Sequence, residues 1–330
     1  MREPLWITEQ DVVALLNLGE AIPALEGALR EEAAATAANM PKTLLQYGKS
    51  NLHALGGRLG GLVGTKTWAH TEGGTCPLLL LWDAGNGSLV SVIEAFALGN
   101  MRTGGISGLA TKWMAAPDAS VLGLIGTGKQ ALSQAAAVLA VRPIKRIQVF
   151  SPRPESRADF AARAIDQLGV EVVAVQSVAA ACRGAHVVTL MTRASRPFLE
   201  AAMLEPGTHV NAAGAIAPDR EEFAQDSFDR ASVLAVDHLP TVKTLSREFM
   251  TRYQARSWDE VRPLSQLIAQ GRKRGADDDL SVFKAMGMGL SDLALGAEIV
   301  ERARRAGAGR PIPQPQKAKP RLTVRQKETT

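Results

Sequence analysis

The apolar run Val121-Leu122-Gly123-Leu124-Ile125 ends in Gly126-Thr127-Gly128-Lys129-Gln130-Ala131 and passes directly into the small-residue segment 132–140. An apolar strand, a G-x-G-x-x-A turn and a helix-compatible stretch in that order leave few folds open. Gly126 permits the tight turn, Gly128 lets backbone approach a diphosphate, and Ala131 lets helix and strand pack closely. The diphosphate then sits on the helix N-terminus. Gly126, Thr127, Gly128, Lys129 and Gln130 are therefore expected to bind a dinucleotide. Further apolar runs occupy 147–151, 170–175, 186–192, 209–214 and 233–237, several of them separated by helix-like patterns. Continuous apolar strands alternating with helices predict a parallel sheet covered on both faces.

The second strand of this unit ends at Ser151, followed by Pro152 and Arg153, with no acidic residue to receive a ribose 2′-hydroxyl. A hydroxyl and a guanidinium suit a 2′-phosphate, which a carboxylate would repel. NADP(H) is thus favoured, with NAD(H) still open, and Ser151 and Arg153 are assigned to the cofactor.

At 330 residues the chain has room for two domains and needs no disulfide or metal staples. The first 115 residues read differently from the middle. A helical pattern spans Thr8 to Thr36, a glycine-rich stretch lies near Gly56 to Gly64, and two apolar runs flank Ala84-Gly85-Asn86-Gly87, a hairpin signal. This part is expected to be α+β with an antiparallel or mixed sheet. A last helical pattern ends at Gly307 with basic residues in its final turn.

The net charge of +5 suggests a nucleic-acid partner only until its location is considered. Lys317, Lys319, Arg321, Arg325 and Lys327 against Glu328 carry most of it, which leaves a nearly neutral body and predicts a disordered basic tail over 311–330. No nucleic-acid or membrane partner is expected, and the absence of a secretory pattern points to the cytoplasm. Cys76 and Cys182 read as reduced, buried thiols, and the five histidines show no metal-ligand spacing, so no metal is expected. His209 reads as structural, and Asp277-Asp278-Asp279 as a solvated loop run.

Several segments in order give the chain a resemblance to the ornithine cyclodeaminase/mu-crystallin family over about residues 5 to 305: GTKT at 64–67, the Asp-Ala-Gly-Asn-Gly hairpin after LLLLW, MRTGGISGLATKW at 101–113, the GTGKQA turn, PGTHVNAAGA at 206–215 and FKAMGMGLSD at 283–292. The resemblance implies an α/β fold in which a Rossmann-type, doubly wound dinucleotide-binding domain (118–284) is inserted into an α+β substrate-binding and dimerisation domain (1–117 and 285–310). It also implies a homodimer and hydride transfer between a nicotinamide and the α-carbon of an amino or imino acid. Arg102 matches the family's carboxylate-binding arginine, and Lys66 its active-site lysine, a second carboxylate contact and proton donor if burial lowers its pKa. Both are assigned as catalytic. Lys42 falls where relatives carry an arginine and joins the substrate-binding residues. Thr192, Asn211, Gly214 and Lys284 lie in matching segments and are assigned to the cofactor; Lys284 and Asp292, eight residues apart, are expected to share a helix face.

One departure bears on the reaction. Where cyclodeaminases carry an aspartate in N-A-x-G-x-D-x-P, this chain has Ile216, and Asp219 is three residues too far along. An aliphatic side chain takes no proton, which disfavours deaminating cyclisation and favours reduction of a small imino acid. Ile216 is expected to line an apolar part of the substrate pocket. The alternatives are an ornithine or lysine cyclodeaminase and a non-catalytic protein that binds NADPH and a small ligand.

Overall fold

The computed structural model describes residues 2–320 and 322. The first sheet collects β1 (Leu5–Ile7), β2 (Ala38–Asn39), β3 (Thr43–Tyr47), β4 (Ser50–Leu59), β5 (Leu62–Thr71), β6 (Gly74–Thr75), β7 (Leu78–Asp83) and β8 (Leu89–Glu94). The second contains β9 (Val121–Ile125), β10 (Arg146–Phe150), β11 (Glu171–Ala174), β12 (Val187–Leu190), β13 (His209–Ala212), β14 (Ala231–Val236), β15 (Val261–Pro263) and β16 (Leu280–Lys284). A final short strand, β17 (Arg310–Pro311), returns to the first sheet beside β1.

The second sheet runs β11-β10-β9-β12-β13-β16-β14-β15 and is parallel throughout, as the continuous apolar runs predict. Strand order reverses between β9 and β12, which opens a crevice at the carboxyl ends of the strands where doubly wound sheets take their ligands. The first sheet runs β17-β1-β8-β7-β5-β4-β2, with β3 on β4 and β6 on β5. It is mixed, because β1 pairs in parallel with β8 while its other pairs are antiparallel.

Two long helices connect the sheets, Phe96–Met114 after β8 and Gly289–Ala306 after β16. The glycines of MRTGGISG have a packing cause: a Cβ on Gly104 would lie 2.6 Å from the Ser133 carbonyl oxygen, and one on Gly108 2.7 Å from that of Ala137. Four residues apart, the two glycines let this helix press against the Ala131–Leu139 helix that follows the dinucleotide turn. The Gly289–Ala306 helix covers the inner face of the first sheet, where Gly296 admits Leu79, Leu81 and Ile93.

Four expectations are corrected. Of the two thiols read as buried, Cys182 is so, whereas Cys76 is exposed. The helical pattern from Thr8 to Thr36 is two helices, Glu9–Leu15 and Leu18–Ala33, because Thr8 and Asn17 each form a capping box. Lys284 and Asp292 do not share a helix: Lys284 closes β16, and Asp292 lies in the first turn of the Gly289–Ala306 helix. The tail is ordered at its start, since Pro311 pairs with Leu5, the Ile312 amide donates to the Pro4 carbonyl, and Gln314 bonds the backbone of Leu89. The part of that tail at 321 and 323–330 lies outside the described residues. Among the described residues no single helix is long and apolar enough to cross a membrane.

Candidate active site

The glycine turn follows β9 at the switch point. Gly126 has φ +108°, and a Cβ there would lie 2.4 Å from the Met191 carbonyl oxygen, so the turn tolerates no side chain. Gly128 differs, for a Cβ there would meet nothing within 4 Å. A backbone this open leaves room for a diphosphate, with Thr127, Lys129 and Gln130 adjoining it in the turn and Ala131 buried at the start of the helix. Ser151 follows β10, and Arg153 is the exposed N-cap of the Pro154–Leu168 helix. Sequence reasoning passed over Arg157, one turn further on and buried. Its guanidinium donates to the Ser151 carbonyl and to Gln176 and lies 5.5 Å from the Phe150 ring centroid, which holds the Ser151–Arg153 loop in place.

The ends of β12 and β13 meet equally closely. A Cβ on Gly214 would fall 2.2 Å from the Thr192 nitrogen. Between them Glu222, fully buried, accepts from the backbone amides of Thr192, Gly214 and Ala215 and from the Thr192 hydroxyl, at 2.6 to 3.0 Å. Burial holds its pKa above the usual carboxylate range despite the attraction of Lys284. One carboxylate therefore ties together both loops that carry Thr192 and Gly214. Two assignments change character here. The Lys284 ammonium is fully buried on Glu248 at 3.1 Å, and the Asn211 side chain bonds Thr111 and His209, so both side-chain heads are engaged within the protein. His209 is interior, shared between Ser281 and Asn211, and burial pushes its pKa down to about 3, which keeps it neutral.

The cations expected to hold substrate converge. Lys66 comes from β5, Arg102 from the first half of the Phe96–Met114 helix and Lys42 from the segment between β2 and β3. Lys66 donates to Oδ1 of Asp292, and the Arg102 Nε lies 3.3 Å from the same oxygen. Burial brings the Lys66 pKa down to about 8; the attraction of Asp292 works against this fall, and the repulsion of Arg102 adds to it. Lys42 is also lowered, first by burial and then by Arg102, with Asp237 opposing. Asp237 in turn accepts from the amides of His238, Met286 and Gly287, and so holds the loop on which Gly287 meets the Arg102 guanidinium. Two buried polar atoms of this cluster, Arg102 Nε and Asp292 Oδ2, have no hydrogen-bond partner among the described residues. A donor and an acceptor are thus left open side by side. Trp68 extends the wall, with the Lys66 ammonium 5.3 Å from its centroid and His53 stacked on it at 4.6 Å.

Ile216 is 44% exposed, in the loop just past Glu222's amide partners. Asp219 does not stand in for an acid at 216, since its carboxylate is largely exposed and faces Arg220. Asp292 is the buried carboxylate of the cluster; its segment was noticed in the sequence, whereas its contact with Lys66 depends on a pairing 226 residues apart.

A parallel sheet with an open glycine turn at its switch point, joined to a buried cluster of cations around one carboxylate, defines a dinucleotide-dependent oxidoreductase. The chain belongs to the ornithine cyclodeaminase/mu-crystallin family, whose sequence profile matches residues 2–307. The ketimine reductase mu-crystallin of Macropus fuliginosus is 30% identical over 222 residues, 67% of each chain. A solved structure of Thermococcus litoralis Delta(1)-pyrroline-2-carboxylate reductase in complex with NADH and L-proline superposes with a TM-score of 0.87 at 25% identity, covering 93% of this chain and all of the other. An archaeal alanine dehydrogenase dimer with bound NAD does so with a TM-score of 0.86 at 27% identity, covering 94% and 99%.

Proposed function

We propose that the protein reduces a small α-imino acid to the amino acid, with residues 118–284 holding NADP(H) or NAD(H) and residues 1–117 with 285–310 holding the substrate in a homodimer. The observation that carries the reading is the convergence of Lys66, Arg102 and Asp292 in a buried cluster with two polar atoms left unpartnered. The kinship with reductases and dehydrogenases of imino and amino acids supports it. The turn fits the cofactor, because the open space at Gly128 accepts a diphosphate that a side chain would displace. When bound, the reduced nicotinamide supplies a hydride to the imine carbon.

The chain supplies the rest. Arg102 and Lys42 hold the substrate carboxylate and so orient the α-carbon. Lys66, poised near pH 8 by burial, gives a proton to the imine nitrogen and regains one from solvent. Asp292, through its open Oδ2, accepts the N–H of that nitrogen. No base is required to deprotonate an amine, which suits an aliphatic residue at 216. NADP(H) is the preferred cofactor because Ser151 and Arg153, rather than an acid, follow β10.

A coenzyme-depletion screen over pyrroline, piperideine and linear imino acids, with NADPH and NADH, tests the reading. Turnover of at least one imino acid is expected. Binding of NADPH without reduction of any imino acid points instead to a ligand-binding protein, and proline plus ammonia from ornithine and NAD to a cyclodeaminase.

A further inference from the structure

A cavity of about 610 Å³ opens where the C-terminal end of the Phe96–Met114 helix meets the Leu18–Ala33 helix, the residues after the Ala131–Leu139 helix and the loop at 272–275. Its floor is apolar, built from Ile22, Pro23 and Trp113, while Lys112, Arg142, Lys273 and Arg274 bring four positive charges and no carboxylate lines it. It belongs to another place than the cation cluster around Asp292: Lys112 lies ten residues beyond Arg102 on one helix, about 15 Å along its axis.

Most of this charge has no counter-ion. Lys112 pairs with Glu26 at 2.6 Å, but Arg142, Lys273 and Arg274 have no carboxylate at ion-pair distance among the described residues. Arg142 is held rigid, donating to the carbonyls of Lys112, Ala115, Ala116 and Val141, which caps the helix end yet leaves its charge unneutralised. Trp113 is 7% exposed and its indole N–H has no hydrogen-bond partner. The Lys273 ammonium stands 5.8 Å from the centroid of that ring. A fixed guanidinium, an exposed ammonium and an aromatic floor, with no acid among the lining residues, describe a receptor for an anion that also has an apolar body.

We propose that this cavity binds a small organic anion, a carboxylate on an aromatic or branched aliphatic body that carries no cationic group. An amino acid is disfavoured because its ammonium would meet three cations without a counter-ion and no lining carboxylate, the Glu26 carboxylate being held by Lys112, whereas the catalytic cluster offers the open oxygen of Asp292 to a nitrogen.

Calorimetric titration of the full chain saturated with NADPH tests the proposal, with phenylacetate, L-phenylalanine and inorganic phosphate as probes. Phenylacetate should saturate one site, and the other two should bind at least about tenfold more weakly. Lys273→Glu, at an exposed position where the fold is not at risk, should weaken phenylacetate at least about tenfold, and Arg102→Ala should leave its isotherm unchanged. No saturable phenylacetate binding would overturn the proposal, as would phosphate, or phenylalanine in the Arg102→Ala protein, binding equally well. So would loss of binding in Arg102→Ala with retention in Lys273→Glu, which would place the ligand in the catalytic cluster.

Discussion

Arg102 and Lys66 share one carboxylate, and their charges are set by the same burial. The Arg102 Nε stands 3.3 Å from Asp292 Oδ1 as an ion-pair contact without a hydrogen bond, so a hydrogen bond from it to a substrate carboxylate is gained on binding. A charged hydrogen bond of this kind is worth about 1.5 to 3 kcal/mol, so Arg102→Ala should raise KM roughly ten- to hundredfold in steady-state assays. An unchanged KM would remove Arg102 from the substrate. Lys66 predicts a pH profile. As the acid of the reaction it must be protonated, so kcat/KM for reduction should fall as pH rises through about 8. Because the attraction of Asp292 raises the Lys66 pKa, Asp292→Asn should move this limb to lower pH. A limb that stays in place would show that another group titrates. Stability moves the opposite way: the unfolded lysine keeps its proton up to its ordinary 10.5, so the fold gains from this residue between about pH 8 and 10.5.

The strand-turn-helix unit around Gly126 separates what the fold needs from what the ligand needs. Gly126→Ala places a Cβ 2.4 Å from a backbone oxygen at φ +108°, and both stability and coenzyme affinity should fall. Gly128→Ala meets no atom within 4 Å, so thermal unfolding should be nearly unchanged while NADPH binding weakens several-fold. Equal coenzyme affinity in wild type and Gly128→Ala, by fluorescence titration, would mean that the diphosphate does not pass this residue. Arg153→Ala should weaken NADPH more than NADH, and equal losses would place the 2′-phosphate elsewhere. This unit was legible in the sequence because its signal is local: a run, a turn and a helix within 20 residues. The same holds for the β7–β8 hairpin and for the glycines of the Phe96–Met114 helix, although only the coordinates tie the latter to Ser133 and Ala137. The sequence was mute on Glu222, Glu248 and Arg157, which act on segments distant in the chain, and it gave no sign that the Lys284 charge is neutralised by a glutamate 36 residues away. Side-chain pairing at that range leaves no periodicity to read.

At the scale of the molecule, the two sheets differ in how they are covered. The parallel sheet has helices on both faces, whereas the first sheet has its inner face under the Gly289–Ala306 helix and, among the described residues, no helix on its outer face. Register places Leu45 opposite Leu52 on that outer side, on the β3–β4 hairpin, where they are 59% and 43% exposed. Leucines at that exposure in a paired hairpin, on the same face as the half-buried Leu78 and Leu80 of β7, give that face an apolar character of the kind that marks an interface. A second copy of the chain, related by a two-fold axis, would cover both faces at once. The same hairpin begins beside Lys42 and carries His53 opposite Leu44, so covering the outer face also steadies the substrate side of the site. Sedimentation at micromolar concentration should therefore give a particle of twice the 35.1 kDa chain mass, and Leu45→Glu with Leu52→Glu should give the single chain. In the doubly substituted protein KM for the imino acid should rise while NADPH affinity is kept, because the cofactor turn lies in the other sheet. A wild type that sediments as one chain, or a double variant that remains dimeric, would show that this face is not where two copies meet.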